Sequence, residues 1–364
     1  MVRAAGATGR PLHVPVVDLT GWEGGSVRRR AAIAARADGA ARRSGFMQIT
    51  GHGIRPETFQ GLAEAMDALF DRPSSTDPDT SLPPAPGTGR GYGRPEGGWV
   101  SHGPAEPDGT ARTFTIGTQA ADHPDRALPD DLYPANVWPP GLPGVEPRTM
   151  AWFTEASRLA RRLTEVFAVA LDLPDAFFLT YSGHSLDVLR LYEHPAASSA
   201  EESPTGPGTV PPGHTDFGIL TLLWAEGGGR LQARDRAGDW HDVLPRPGTL
   251  LVGVGDLLAR WTNDRWTSPV HRVLPPGTAG TSGRRRAAAF FHHGDFDALV
   301  TPVPTCVERA NPARYGPVTI AAHLAEKRGQ APPVPPTSPL AGPPSFSRRT
   351  ARARAVEGGR LPTR

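Results

Sequence analysis

Apolar residues recur along this chain with two distinct periods, and long stretches between them carry little apolar character. A helical period marks residues 57–70, where Leu62, Met66, Leu69 and Phe70 share a face. It marks 147–171 more strongly: Phe153, Ala156, Leu159, Leu163, Phe167 and Ala170 form a stripe expected to back the core. An Ala- and Arg-rich helix is expected to begin near Ser26, and a last one over 317–328. Extended and β-branched runs predict strands at 13–19, 46–50 and 113–116, with a shorter one near Trp99. Strands then crowd the segment 186–300. Strands of this density after flanking helices predict a mixed α/β protein with a mainly β core, a double-stranded β-helix or jelly-roll barrel.

The intervening text is turn-rich, in keeping with 42 glycines and 41 prolines among 364 residues. Residues 71–146 are too long for an idle connection and read as a lid or substrate loop. Arg90, Tyr92 and Trp99 within it are candidate substrate contacts, with simple loop packing an equal reading. A Pro/Ser/Gly loop at 195–213 precedes His214, at the expected mouth of the barrel. From Gly329 the Pro, Ser, Arg and Gly composition cannot bury a core, and 329–364 is expected to be a disordered tail. The parts divide as a 1–120 N-terminal region, a helical connection at 121–185, a barrel at 186–300 and a helical region at 301–328.

Charge excludes some partners. The net charge is +2, with arginine supplying nearly all of the basic side and Lys327 as the only lysine. Acidic residues are interspersed, so no basic groove for nucleic acid is expected. The single cysteine, Cys306, rules out an intrachain disulfide. No apolar run has the length of a leader or a membrane span, so a cytoplasmic protein without a membrane partner is expected. Oligomeric state is left open, a monomer included.

The chemistry lies in a histidine pattern. His-x-Asp occurs at His123/Asp125, His214/Asp216 and His293/Asp295. The first sits in a Pro-rich loop, and the third has only His323 beyond it, in an expected helix. His214/Asp216 is followed by the strand-like run from Phe217 to Trp224, and His271 lies on a later strand expected over 266–274. On an extended chain residues i and i+2 point the same way. Two imidazoles and one carboxylate on one face of a metal leave positions open for further ligands, the set used by non-haem Fe(II) oxygenases.

Longer motifs surround these residues. Val14-Pro15-Val16-Val17-Asp18-Leu19 and Gly45-Phe46-Met47-Gln48-Ile49-Thr50-Gly51-His52-Gly53 stand near the start. Val252-Gly253-Val254-Gly255-Asp256 leads to His271-Arg272-Val273, then Arg285-Arg286-Ala287-Ala288-Ala289-Phe290-Phe291-His292. Over roughly residues 12–328 the chain resembles the Fe(II)- and 2-oxoglutarate-dependent dioxygenases related to isopenicillin N synthase.

That resemblance implies an iron held by His214, Asp216 and His271, with 2-oxoglutarate as co-substrate and dioxygen as oxidant. It implies Arg285 on the distal carboxylate, which a planar guanidinium binds bidentately. Strand alternation favours Arg285 over Arg284 and Arg286. The family's usual serine two residues later is Ala287 here, so one donor is missing. Tyr192 is a candidate replacement, although the family's tyrosine more often stands just before the proline, where this chain has His194. Phe217, Phe291 and His292 are further substrate-pocket candidates. The implied activity is oxidation, most simply hydroxylation, of a small molecule in specialised metabolism. The alanine also admits an Fe(II) oxidase working without 2-oxoglutarate, by oxidative cyclisation or desaturation. A barrel retained only for binding, or a nucleic-acid demethylase, fits the intact ligand set and the charge pattern less well.

Overall fold

The computed structural model describes residues 11–71, 89–93, 111–194, 213–226, 231–274 and 285–329. Trp99, Arg284, the 195–212 stretch and the tail from 330 lie outside the described residues. Ser26 caps the first helix, α1 (Val27–Arg43), its hydroxyl accepting from the Arg29 amide. The buried face of α1 is Ile33, Ala34, Ala37, Ala40 and Ala41, mostly side chains small enough to admit a neighbouring helix closely. Helix α2 (Pro56–Phe70) starts with proline, whose missing amide costs nothing in a first turn. The apolar stripe read from the sequence is the buried side of α3 (Val145–Ala170), which packs on both α1 and α2.

These helices lie against an eight-stranded sheet. In chain order its members are β1 (Val16–Asp18), β2 (Phe46–Thr50), β3 (Gly91–Gly93), β4 (Arg112–Gly117), β5 (Val188–His194) and β6 (Leu220–Glu226). After β7 (Leu231–Arg234) and β8 (Trp240–Asp242) come β9 (Leu250–Val254), β10 (His271–Val273) and β11 (Arg285–His292). The large sheet runs β1-β2-β9-β6-β11-β5-β4-β3, antiparallel except for β1 beside β2. Strands β10-β7-β8 form a small opposing sheet, and Phe46, Leu231, Ala233 and Leu251 pack between the two. The architecture is the expected double-stranded β-helix with a mainly β core and helices on one side. Helix α4 (Asp256–Trp261) follows β9; the short strands β12 (Leu299–Val300) and β13 (Val318–Thr319) precede α5 (Ile320–Lys327). No helix among the described residues is long and apolar enough to cross a membrane.

Two strand expectations need correction. The run behind Asp216 is not one continuous strand: His214 makes a single bridge to the small sheet, and β6 of the large sheet begins only at Leu220. The chain changes sheets in between. Close backbone approach enforces the crossing, since a Cβ on Gly255 would lie 2.0 Å from the Gly218 carbonyl oxygen. The strand expected over 266–274 shrinks to β10, because Trp266 turns into the core, its ring edge-on to Phe167 at 5.2 Å.

Asp38 of α1 ties this corner down. Its carboxylate accepts from the Trp266 indole at 2.8 Å and from Arg265 at 2.9 Å, and it pairs with Arg42 one turn along its own helix. Burial opposes ionisation of Asp38, but hydrogen bonds from Trp266 and Arg42 and the charge of Arg265 outweigh it and hold the carboxyl below its ordinary value. A depressed carboxyl adds stability above its unfolded-state value, and loses it as pH falls through the folded-state value. Asp38→Ala leaves the buried indole N–H unpaired and is expected to cost about 1–3 kcal/mol in urea unfolding at neutral pH. Asp38→Asn is expected to flatten the fall in stability below about pH 4.

Candidate active site

His214 and His271 face each other across two backbone hydrogen bonds, His214 N to His271 O at 2.9 Å and the reverse at 2.8 Å. This bridge sets their rings 4.4 Å apart, centroid to centroid. Asp216 reaches the same point from the start of the sheet crossing, its Oδ1 3.6 Å from His271 Nε2. One ligand-type atom from each of the three lies within 4.8 Å of the others, a cluster one ion can satisfy. The ring of His271 is fixed: with the Pro269 carbonyl 3.0 Å from Nδ1, that nitrogen carries the proton and Nε2 keeps its lone pair for a metal. Burial, with His271 beside it, pushes His214 down to about 4, so its imidazole is neutral and able to ligate at neutral pH. Gly253 leaves room here, since a Cβ on it would stand 3.9 Å from Asp216 Oδ2 and crowd Phe46. The donor set suits Fe(II): two imidazole nitrogens, one carboxylate oxygen and an open side.

The open side is a cleft between the two sheets, about 990 Å³ including its mouth. Alternation on β11 sends Arg285, Ala287, Ala289 and Phe291 into it, while β5 contributes Tyr192 and His194. Arg285 is buried and Nη2 donates to the Leu274 carbonyl at 3.3 Å. Arg286 points the other way, pairing with Glu226 and donating to Asp67 of α2. The ladder sets His194 opposite Arg285 and Tyr192 opposite Ala287. At the metal end, Thr221 lines the cleft with a buried hydroxyl that has no partner among the described residues. A cationic end, a metal-ligating end and an unsatisfied donor between apolar walls fit a small dicarboxylate that chelates the metal.

Four pocket candidates fall elsewhere. His292 is wholly buried behind the sheet, Nδ1 2.9 Å from Asp187 and Nε2 3.3 Å from Ser182; strand alternation turns it away from the side Phe291 faces. Phe217 sits in the core, its carbonyl accepting from His323 and its ring 5.7 Å from the Lys327 amine, because the sheet crossing rotates it out of the cleft. Tyr92 is a packing residue: its hydroxyl donates to the Leu69 carbonyl at 3.1 Å and its ring meets Phe114 edge-on. Arg90 is buried against the Thr118 carbonyl, 3.3 Å from Nη2, and burial lowers it to about 10. The His293/Asp295 pair builds structure, with Asp295 accepting from the Gly183 and His184 amides. Asn263 braces the following loop, its Oδ1 accepting from the Arg314 amide. His194 and Thr221 were not legible as site residues from motif alone; His194's spacing of two from Tyr192 on one strand was the available signal.

Comparison with known proteins agrees with this geometry. Residues 188–294 match the 2OG-Fe(II) oxygenase superfamily, and residues 14–141 match the N-terminal region described for non-haem dioxygenase in morphine synthesis. The chain is 30% identical over 297 residues to validamycin A dioxygenase of Streptomyces hygroscopicus subsp. limoneus, covering 80% of this chain and 79% of that protein. It is equally 30% identical to a homoarginine-6-hydroxylase of Oryza sativa subsp. japonica, covering 80% and 86%. The fold matches a full-length Neurospora crassa protein solved in complex with alpha-KG and thymine, at a TM-score of 0.72 and 23% identity over 89% of this chain and 97% of that one. A 2OG-Fe(II) oxygenase family protein from Caulobacter crescentus matches at a TM-score of 0.73 and 24% identity, over 86% and 97%. The chain therefore belongs to the 2OG-Fe(II) oxygenase superfamily, as an isopenicillin N synthase-like dioxygenase dependent on Fe(II) and 2-oxoglutarate.

Proposed function

We propose that this dioxygenase hydroxylates a small molecule of specialised metabolism, with Fe(II) held by His214, Asp216 and His271 and 2-oxoglutarate held by Arg285. The convergence of the three side chains on one point at the base of an apolar cleft carries the reading. The cleft is sized for a small molecule. Two relatives bear the names of enzymes acting on validamycin A and homoarginine, both small molecules.

Iron and 2-oxoglutarate together supply the oxidising chemistry, dioxygen being reduced as the co-substrate loses carbon dioxide and becomes succinate. The protein supplies placement. His214 and His271 each present a ring nitrogen, and Asp216 a carboxylate oxygen. Arg285, steadied by the Leu274 carbonyl, would hold the distal carboxylate. His194 across the ladder, and Tyr192 opposite Ala287, stand where they can add the donor that alanine lacks. Leu223, Leu231, Val273 and Phe291 keep water from the reacting centre.

With the true substrate, succinate and oxidised product are expected in equal amounts. Oxygen uptake without succinate would refute the 2-oxoglutarate-dependent reading. Asp216→Ala is expected to abolish Fe(II)-dependent oxygen consumption, measured with an oxygen electrode; undiminished uptake would refute the assigned ligand set. Arg285→Gln removes a charge-assisted contact and should raise KM for 2-oxoglutarate about tenfold to a hundredfold, with Fe(II) affinity retained.

A further inference from the structure

The C-terminal helix reaches the metal loop through two side chains spaced four apart, and so on one face of α5. His323 Nε2 donates to the Phe217 carbonyl at 3.2 Å. Lys327 Nζ lies 2.7 Å from Asp256 Oδ2, the same oxygen that accepts from the Thr215 hydroxyl at 3.1 Å. Thr215 stands between the two residues of the His-x-Asp pair, and the Asp256 amide donates to the Asp216 carbonyl at 2.8 Å. Asp256 thus grips the loop by backbone and side chain, while the lysine grips Asp256. The lysine stem also crosses Phe217, with Nζ 5.7 Å from the ring centroid. In a chain whose other basic side chains are arginines, this position holds the one lysine.

The electrostatics favour a positioning role over a surface ornament. The Asp256 side chain is 11% exposed and that of Lys327 39%. Neutralising the amine takes the ion-pair partner from a nearly buried carboxylate whose own amide holds the Asp216 carbonyl. Such a carboxylate draws in water or swings toward solvent, and either movement releases the Thr215 hydroxyl. The loop then no longer presets the separation between His214 and Asp216. Groups one layer behind metal ligands typically change metal affinity about 10- to 100-fold when lost.

We propose that Lys327 is a positioning residue for the metal site, acting through Asp256 and Thr215, so that neutralising this single amine weakens Fe(II) binding. The inference rests on the assignment of His214, Asp216 and His271 as the iron ligands, and it makes the end of α5 a place where lysine modification controls metal loading.

Having one lysine makes the test chemical as well as genetic. Fe(II) affinity of the full-length protein is measured anaerobically by competition with a chromophoric chelator, and fold integrity by circular dichroism. Acetylation, which removes the charge, is expected to weaken Fe(II) binding about tenfold. Reductive dimethylation keeps the charge and should leave affinity near its original value. Lys327→Met should reproduce the acetylated protein, and Lys327→Arg should restore binding and be insensitive to acetic anhydride, which controls for reaction at the chain terminus. In a Thr215→Val background the Lys327→Met effect should shrink, since both act on one carboxylate oxygen. Unchanged Fe(II) affinity in folded Lys327→Met or acetylated protein would overturn the proposal, as would equal losses from dimethylation and acetylation. Failure of the unmodified protein to bind Fe(II) would instead overturn the ligand assignment, and the proposal with it.

Discussion

The structure depends on one pair of backbone hydrogen bonds, those that join His214 to His271. They are the reason two imidazoles from distant parts of the chain can be brought within ligand distance without relying on side-chain packing alone. An antiparallel bridge fixes the separation and mutual orientation of opposed side chains. Asp216 then needs only two further residues of extended backbone to complete the set. The cost is topological: the chain must leave the small sheet immediately afterwards and enter the large one at Leu220. Gly218 and Gly255 meet at that crossing with no room for a side chain on Gly255. The metal site and the sharp change of sheet are therefore consequences of one another.

The same two-residue alternation sorts the arginines of β11. Arg285 and Arg286 are chemically identical and adjacent, yet one turns inward beneath the Leu274 carbonyl and the other turns to Glu226 and Asp67 at the rim. The sorting works because β11 is flanked on both sides, by β5 and by β6, over nearly its whole length. A one-residue slip would exchange the two roles and move every other side chain on the strand. Register along this central strand therefore sets co-substrate recognition as much as any single residue does.

This alternation also explains what could be read before any coordinates. The metal trio was legible because its residue types are demanding and an apolar strand follows the pair. The amphipathic stripe of α3 was legible because large apolar residues at helical spacing have few other uses. Phe217 was misplaced by the natural assumption that a strand continues through the ligand pair; nothing local marks the change of sheet except glycines whose neighbours are far away in sequence. His292 shows a different failure. It is adjacent to Phe291, so only one of them faces the cleft, and aromatic character does not say which. Arg90 and Tyr92 have partners more than twenty positions away, at Thr118 and Leu69, which no local pattern reveals.

The distribution of hydrogen-bonding capacity separates the two buried polar systems of the barrel more sharply than residue type does. Ser182, Ser185, Asp187 and His292 carry a serine, histidine and aspartate arrangement that, seen as a motif, invites a catalytic reading. There the imidazole is in contact on both nitrogens, and Ser185 and His292 both reach the Asp187 carboxylate. Burial opposes ionisation of Asp187, yet the histidine beside it holds the carboxyl below its ordinary value. Such a closed set gains stability by being complete and has nothing left to offer a ligand. At the metal end the arrangement is the reverse. Histidine, aspartate and histidine crowd around one point, and the Thr221 hydroxyl faces the cleft with no partner among the described residues. A barrel that satisfies one polar cluster completely and leaves its neighbour open has reserved the second for what binds there.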